Sequence, residues 1–262
     1  MKYLSSQNNP ELKRLRLLFQ KAKERKKQGA FVIEGIREIE KAILGGYDIH
    51  TVFIEEGSES LHSKILSKSN EVLFFSVQKS VFELISMRSG SEKIIAVVKS
   101  KIHTLEELHL PDNGIVLVVE APEKPGNIGA LYRTAAAAKI DSIIIANPKT
   151  DFYNPNSIRS SLGSLFLVPT ALAPSFDVIA YLKKNTYKIL TAVVEPKALT
   201  YDKYHYKKPC AIILGAESTG LTTPWLKATD QHLIIPMDKS IDSLNLSVSA
   251  GILMYEAQVK NN

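Results

Sequence analysis

The chain of 262 residues has one cysteine and six histidines. A single thiol excludes an internal disulfide and a thiolate metal site. Cys210 lies in the apolar run "PCAIILG" and reads as a small buried residue. His50, His62, His103, His109, His205 and His232 are scattered, without H-x-x-x-H or C-x-x-H spacing, so no metal is expected. No apolar run approaches the length a bilayer requires, and the opening MKYLSSQNNP lacks the apolar core of a signal peptide. These absences predict a cytoplasmic protein that does not enter a membrane. What is present, 45% hydrophobic residues, suffices for one large or two modest cores.

The net charge of +6 is concentrated at one end. Residues 1–29 carry 9 of the 33 basic and 2 of the 27 acidic side chains, a local balance of +7 that leaves the other 233 residues at −1. Within "PELKRLRLLFQKAKERKKQG", Leu12, Leu15, Leu18, Phe19 and Ala22 recur at helical spacing. Lys13, Arg14, Arg16, Lys21, Lys23, Arg25, Lys26 and Lys27 fill the rest, and Gly29 stops the run. The pattern predicts one basic amphipathic helix: a solvated face, a membrane-surface helix or a phosphate-binding element. Its narrow apolar stripe lacks Trp, which disfavours the membrane reading.

Beyond Gly29, strands and helices alternate. "AFVIEG", "HTVFIEE", "VLFFSV" and "KIIAVVK" read as strands, with helices at 37–44, near 61–66 and before the last strand. The Pro-Asp-Asn-Gly turn after an aperiodic stretch puts a boundary near residue 105, dividing the chain into 1–105 and 106–262. The second part gives strands "GIVLVVEA", "SIIIA", "YKILTAVV", "CAIILG" and "HLIIP", with helices over 127–139, 155–166, 176–184 and 243–259. Strands so uniformly apolar belong to a parallel sheet covered on both faces. The fold class is α/β, with a smaller α/β unit in front.

A dinucleotide site fails on spacing, because Gly126 and Gly129 give G-x-x-G and the next strand ends in Asn147 instead of a ribose-binding acid. Turn-rich stretches at 123–129, 215–220 and 236–243 nevertheless each follow a strand, and strand ends of open parallel sheets line ligand crevices. Three loops are expected to share one site.

"PGNIGALYRTAAA", "LGAESTGL" and "IPMDKSIDSLNLSVSAGILMYEA" resemble, in order, the three motifs of the SpoU family of RNA ribose 2'-O-methyltransferases, within the SPOUT superfamily. "SIRSSLGSLFLVP" resembles the stretch this family carries between its first two motifs, and "GAFVIEGIREIEKAI" the start of its N-terminal RNA-binding domain. The resemblance implies a C-terminal SPOUT domain with a trefoil knot that binds S-adenosylmethionine, a homodimer through that domain, and RNA as partner. It implies that Asn127, Arg133, Glu217, Ser243 and Asn245 fill the reacting site. Ala192, Leu214, Gly215, Ile235, Met237 and Leu244 are implied to contact the cofactor, with Gly215 permitting close backbone approach to it. The eight basic residues of the first segment are then RNA contacts. Ser218 and Lys239 stand where the family commonly has glycine, and Lys239 could add a phosphate contact.

Taken singly, these residues also have structural readings: Asn127 at a helix N-terminus, Arg133 on a helix surface, Glu217 in a surface loop, Ser243 as N-cap of the last helix with Asn245 in its first turn. An arginine is a poor base, so Arg133 is read as a clamp on phosphate and developing alkoxide, with Glu217 or an RNA phosphate relaying the proton. Ribosomal RNA is the favoured substrate because of the extra N-terminal domain. Transfer RNA, a non-catalytic RNA-binding protein and a nicotinamide enzyme are the rival readings.

Overall fold

The structure, a computed structural model, describes residues 1–62, 72–87 and 92–260. The chain forms two compact units: Met1–Lys101 together with Tyr153–Leu167, and Ile102–Phe152 together with Val168–Asn262.

In the first unit the elements run β1 (Lys2–Leu4), α1 (Pro10–Gln20), α2 (Ala22–Gln28), β2 (Ala30–Glu34), α3 (Ile36–Leu44), β3 (Ile49–Glu55), β4 (Leu73–Val77), α4 (Lys79–Ile85) and β5 (Ile94–Lys99). The sheet order is β1-β4-β3-β5-β2, with β5 antiparallel to both its neighbours and the other pairs parallel. All four expected strands form. Of the helix expected near 61–66, Glu59–His62 is a 3₁₀ turn and the rest lies outside the described residues.

Asn9 caps α1 by accepting from the Glu11 N–H at 2.9 Å, and Pro10 occupies the first turn, where its missing donor costs nothing. Leu12, Leu15 and Leu18 are fully buried against Val32, Phe53 and Phe82, as their spacing predicts. The single basic helix is in fact two. Lys21 adopts an extended conformation between them, and Gly29, at φ 57°, closes α2 in the left-handed region.

This break turns Arg25 inward. It is 3% exposed, and its Nη1 donates to the carbonyls of Leu18 at 2.6 Å and Phe19 at 3.1 Å, both in the last turn of α1. A cation there satisfies carbonyls that have no partner within the helix and sits at the negative end of its dipole. Arg25 therefore leaves the set of expected RNA contacts. Lys13, Lys21, Lys23, Lys26 and Lys27 are exposed, while Arg14 and Arg16 are half-buried. Arg25→Ala is expected to destabilise the unit by about 2 kcal/mol, since charged hydrogen bonds contribute roughly 1.5–3 kcal/mol each. Lys23→Ala should leave the denaturation midpoint unchanged and lower only the salt dependence of RNA binding. Equal midpoints for the two variants would contradict this assignment.

The second unit runs β6 (Ile115–Glu120), α5 (Pro125–Ala137), β7 (Ser142–Ala146), then, after α6 (Pro155–Ser161) of the first unit, β8 (Thr170–Ala173), α7 (Ser175–Lys184), β9 (Lys188–Ala192), β10 (Leu199–Thr200), β11 (Cys210–Leu214), α8 (Thr223–Ala228), β12 (Gln231–Ile234) and α9 (Leu246–Val259). Seven strands in the order β10-β12-β9-β11-β6-β7-β8 pair in parallel throughout. The central strands β6 and β11 are buried along their whole length, which is why both read as unbroken apolar runs. Cys210 lies in that core, where burial pushes its thiol up to about 12.

The stretch at 155–166 departs from expectation twice. Only Pro155–Ser161 is α-helical, because Leu162 (φ 50°) and Gly163 (φ 77°) turn the chain before a short 3₁₀ segment. It also belongs to the first unit, not the second. There Tyr153 stacks on Phe31 with ring centroids 4.0 Å apart, Phe166 meets Tyr47 edge-on, and Lys41 Nζ donates to the Leu162 carbonyl at 2.7 Å. A chain cut near residue 105 would strip Tyr153 and Phe166 of those partners.

Candidate active site

Parallel strands present their C-terminal ends along one edge, and at β9, β11 and β12 that edge opens into a cavity of about 360 Å³. Ala192 ends β9, Leu214 ends β11, and Ile235 and Met237 follow β12; all four line the cavity. Ser243 and Leu244 enter from the segment before α9. Each residue expected to contact a cofactor, Gly215 included, is thus a lining residue.

Gly215 also has a cause within its own loop. A Cβ there would lie 2.1 Å from the carbonyl carbon of Gly220 and 2.4 Å from the Leu221 nitrogen. The loop folds back on itself, with Gly220 N–H donating to the Ala216 carbonyl at 2.9 Å and Gly220 at φ 66°. The close approach is made by the loop's own backbone. This tight turn is what holds Glu217 at the cavity.

Glu217 lines the cavity and accepts a hydrogen bond from Asn127 Nδ2. Asn127, in the first turn of α5, accepts in turn from Asn245 Nδ2 at 3.2 Å. Asn245 Oδ1 caps α9 by accepting from the Ser247 N–H at 2.9 Å. Asn245, not Ser243, is therefore the cap, and α9 begins at Leu246, three residues later than the pattern suggested. The three loops meet through Glu217, Asn127 and Asn245. Glu217 Oε2 is buried and without a hydrogen-bond partner among the described residues.

Arg133 is not brought into the cavity. It is exposed on α5, six positions beyond Asn127, or about 9 Å along the axis at 1.5 Å per residue. Ser218 is exposed, 3.4 Å from Glu123 Oε1, and Lys239 is exposed in a turn; neither narrows the cavity.

Two acids escaped the reading of the sequence. Glu195, just beyond β9, lines the cavity and could have been found by the strand-end rule that picked out the other loops. Glu120, 1% exposed at the end of β6, fixes the far side of the Glu217 loop. Its carboxylate accepts from the Thr222 N–H (2.9 Å), Thr222 Oγ1 (2.8 Å) and Ser175 Oγ (2.7 Å), and Ser175 accepts from Trp225 Nε1 at 3.0 Å. The sequence signal was an acid closing an apolar strand. Among the described residues no group of three or more His, Cys, Asp or Glu could hold a metal ion, and no helix is long and apolar enough to cross a membrane.

A cavity of this size, with apolar walls and few polar groups, suits a nucleoside-sized ligand. Leu214, Leu226, Ile235 and Leu244 offer the apolar surface, and Glu195 and Glu217 offer negative charge suited to a cationic molecule such as S-adenosylmethionine.

The SpoU rRNA Methylase family profile matches residues 114–255, and that of the MRM3-like substrate binding domain residues 9–96. The chain is 26% identical to the 23S rRNA (guanosine(2553)-2'-O)-methyltransferase RlmP of Bacillus subtilis, covering 97% of this chain and 98% of that one. It is 32% identical to an RNA 2'-O ribose methyltransferase of solved structure, with a TM-score of 0.84 and 99% of each chain covered. An AdoMet-bound rRNA methyltransferase from Sinorhizobium meliloti is 26% identical, with a TM-score of 0.89 over 98% of this chain and 97% of that one.

Proposed function

The chain belongs to the SpoU rRNA methylase family, and on that footing we propose that it methylates a ribose 2'-hydroxyl of ribosomal RNA in the cytoplasm. It is an S-adenosylmethionine-dependent RNA 2'-O-methyltransferase. The observation that carries the reading is the meeting of Asn127, Glu217 and Asn245 at a cavity lined by every residue expected to contact the cofactor. Ribosomal RNA is favoured over transfer RNA by the substrate-binding domain match and by a full-length relative that acts on 23S rRNA.

Ala192, Leu214, Gly215, Ile235, Met237 and Leu244 would hold the cofactor, which would supply an electrophilic methyl group on a sulfonium. A ribose hydroxyl must lose its proton to accept a methyl group, so alignment by these residues would supply much of the rate. Asn127 fixes one Glu217 oxygen and leaves Oε2 to take that proton, directly or through a neighbouring RNA phosphate. Asn245 locks Asn127, and Ser243 lines the cavity. Arg133, exposed on the same helix as Asn127, clamps an RNA phosphate and the developing alkoxide.

The exposed Lys13, Lys21, Lys23, Lys26 and Lys27, with Arg14 and Arg16, form the RNA-binding surface of the first unit. The trefoil knot and the homodimer belong to the same proposal. The dimer is supported by Val248, Tyr255 and Val259, which are 50%, 48% and 68% exposed and recur at helical spacing along α9, an apolar stripe without a cover.

Replacing only the target nucleotide by its 2'-deoxy form should abolish methyl transfer and leave RNA binding nearly unchanged, because phosphates and neighbouring bases supply most contacts. Transfer to the deoxy substrate would move the reaction to the base.

A further inference from the structure

The first unit carries a trough that methyl transfer does not use. Two hollows share Phe19 and Met87 as a common wall. The wider, about 400 Å³, is also lined by Arg16 and Leu84. The narrower, about 20 Å³, reaches Glu34 and Arg159 and admits a polar edge but not a ring. Arg159 is part of this unit through the Tyr153–Leu167 segment.

Three observations define an occupant. Leu84 and Met87 are 64% and 43% exposed beside the half-buried Phe19 ring, so apolar surface is held in water next to an aromatic. Each hollow has an arginine, and the Nε of Arg16 is buried without a hydrogen-bond partner among the described residues. Glu34 lines the narrower hollow with Arg159, and its carboxylate is fixed by Ser86 Oγ at 2.5 Å and the Met87 N–H at 2.8 Å, two residues that also line the wider hollow with Arg16. An all-basic hollow would seat a phosphate in its middle; this acid repels one there and accepts from an amino group instead. A planar base with anionic groups on either side matches that order of charges and the basic excess of residues 1–29.

We infer that this trough seats an unpaired RNA nucleobase, stacked on Phe19 between Leu84 and Met87. Its flanking phosphates meet Arg16 and Arg159, and its exocyclic amino group meets Glu34. The inference rests on the reading that the first unit binds RNA, and adds that it reads a base and not only backbone charge.

The test uses the full-length protein and three ten-nucleotide RNAs of equal charge: oligocytidine, oligouridine and an abasic strand. Cytosine offers an amino donor where uracil offers a carbonyl acceptor. The expected affinity order is cytidine, uridine, abasic, with the abasic strand about ten-fold or more weaker, the scale of one base stacked on an aromatic ring. Phe19→Leu and the surface variant Leu84→Ser should each close the gap to the abasic strand. Glu34→Gln should erase the cytidine–uridine difference alone, and Arg16→Gln should weaken all three. Equal binding of abasic and base-bearing strands, or a gap that survives both Phe19→Leu and Leu84→Ser, would overturn the inference. A cytidine–uridine difference that persists in Glu34→Gln would overturn the part given to Glu34. The underlying reading fails separately, by indifference of all RNA binding to charge reversal at Lys13 and Lys23.

Discussion

Gly215→Ala is expected to lower affinity for S-adenosylmethionine by about ten- to a hundred-fold. The added methyl would sit 2.1 Å from the Gly220 carbonyl carbon and 2.4 Å from its oxygen, and both are backbone atoms that no rotamer change can move aside. Relief requires opening the 215–220 loop. Gly215, Glu217, Gly220 and Leu221 all line the cavity, so the strain is released into the binding site. Overpacking typically costs about 1–3 kcal/mol, which is roughly five- to 150-fold in a dissociation constant. Gly126→Ala is the control: nothing lies within 4 Å of a Cβ there, so cofactor affinity should be unchanged. Calorimetric titration of both variants, with circular dichroism to confirm folding, checks the pair. Undiminished binding by Gly215→Ala would show that the loop yields freely and does not shape the cavity.

Arg133→Ala is expected to keep cofactor affinity and to lose about a hundred- to a thousand-fold in turnover, the usual cost of one well-placed electrostatic group. The first half follows from position, since Arg133 is exposed on α5 and does not line the cavity. The second follows from its proposed role as a clamp. Arg133→Lys separates clamp from base. Lysine keeps the charge but loses the planar fork, so bidentate phosphate contact is impaired at every pH. An amine acting as base would instead gain activity as pH rises toward its own pKa. Single-turnover rates across pH decide between them, and recovery of Arg133→Lys to the wild-type rate at high pH would overturn the clamp.

The sequence revealed most of the second unit because its central strands β6, β7 and β11 are buried along their whole length and so appear as unbroken apolar runs. β8 and β10, of four and two residues, are too short to show a pattern, and the six-residue α8 is held by Trp225 and not by periodicity. The site was legible as three loops at strand ends, since a parallel sheet must bring such ends to one edge. What linear pattern could not show was direction. Arg25 has the same charge and spacing as its neighbours, and only the extended Lys21 turns it onto the carbonyls of α1. Tyr153–Leu167 lies between two strands of the second sheet, yet its aromatic partners Phe31 and Tyr47 come from more than a hundred residues earlier in the chain. Such contacts depend on tertiary packing, and no local period carries them.

On the proposed function, this chain places methyl groups on ribose 2'-hydroxyls of ribosomal RNA. Its most direct test is a nucleotide-resolution map of 2'-O-methylation in cellular RNA, compared between cells with the gene, cells without it, and cells complemented by Asn127→Ala. A ribosomal RNA site should be lost on deletion, restored by the wild-type chain, and not restored by the variant, whose Glu217 has lost its partner. An unchanged ribosomal map, or full restoration by Asn127→Ala, would contradict it.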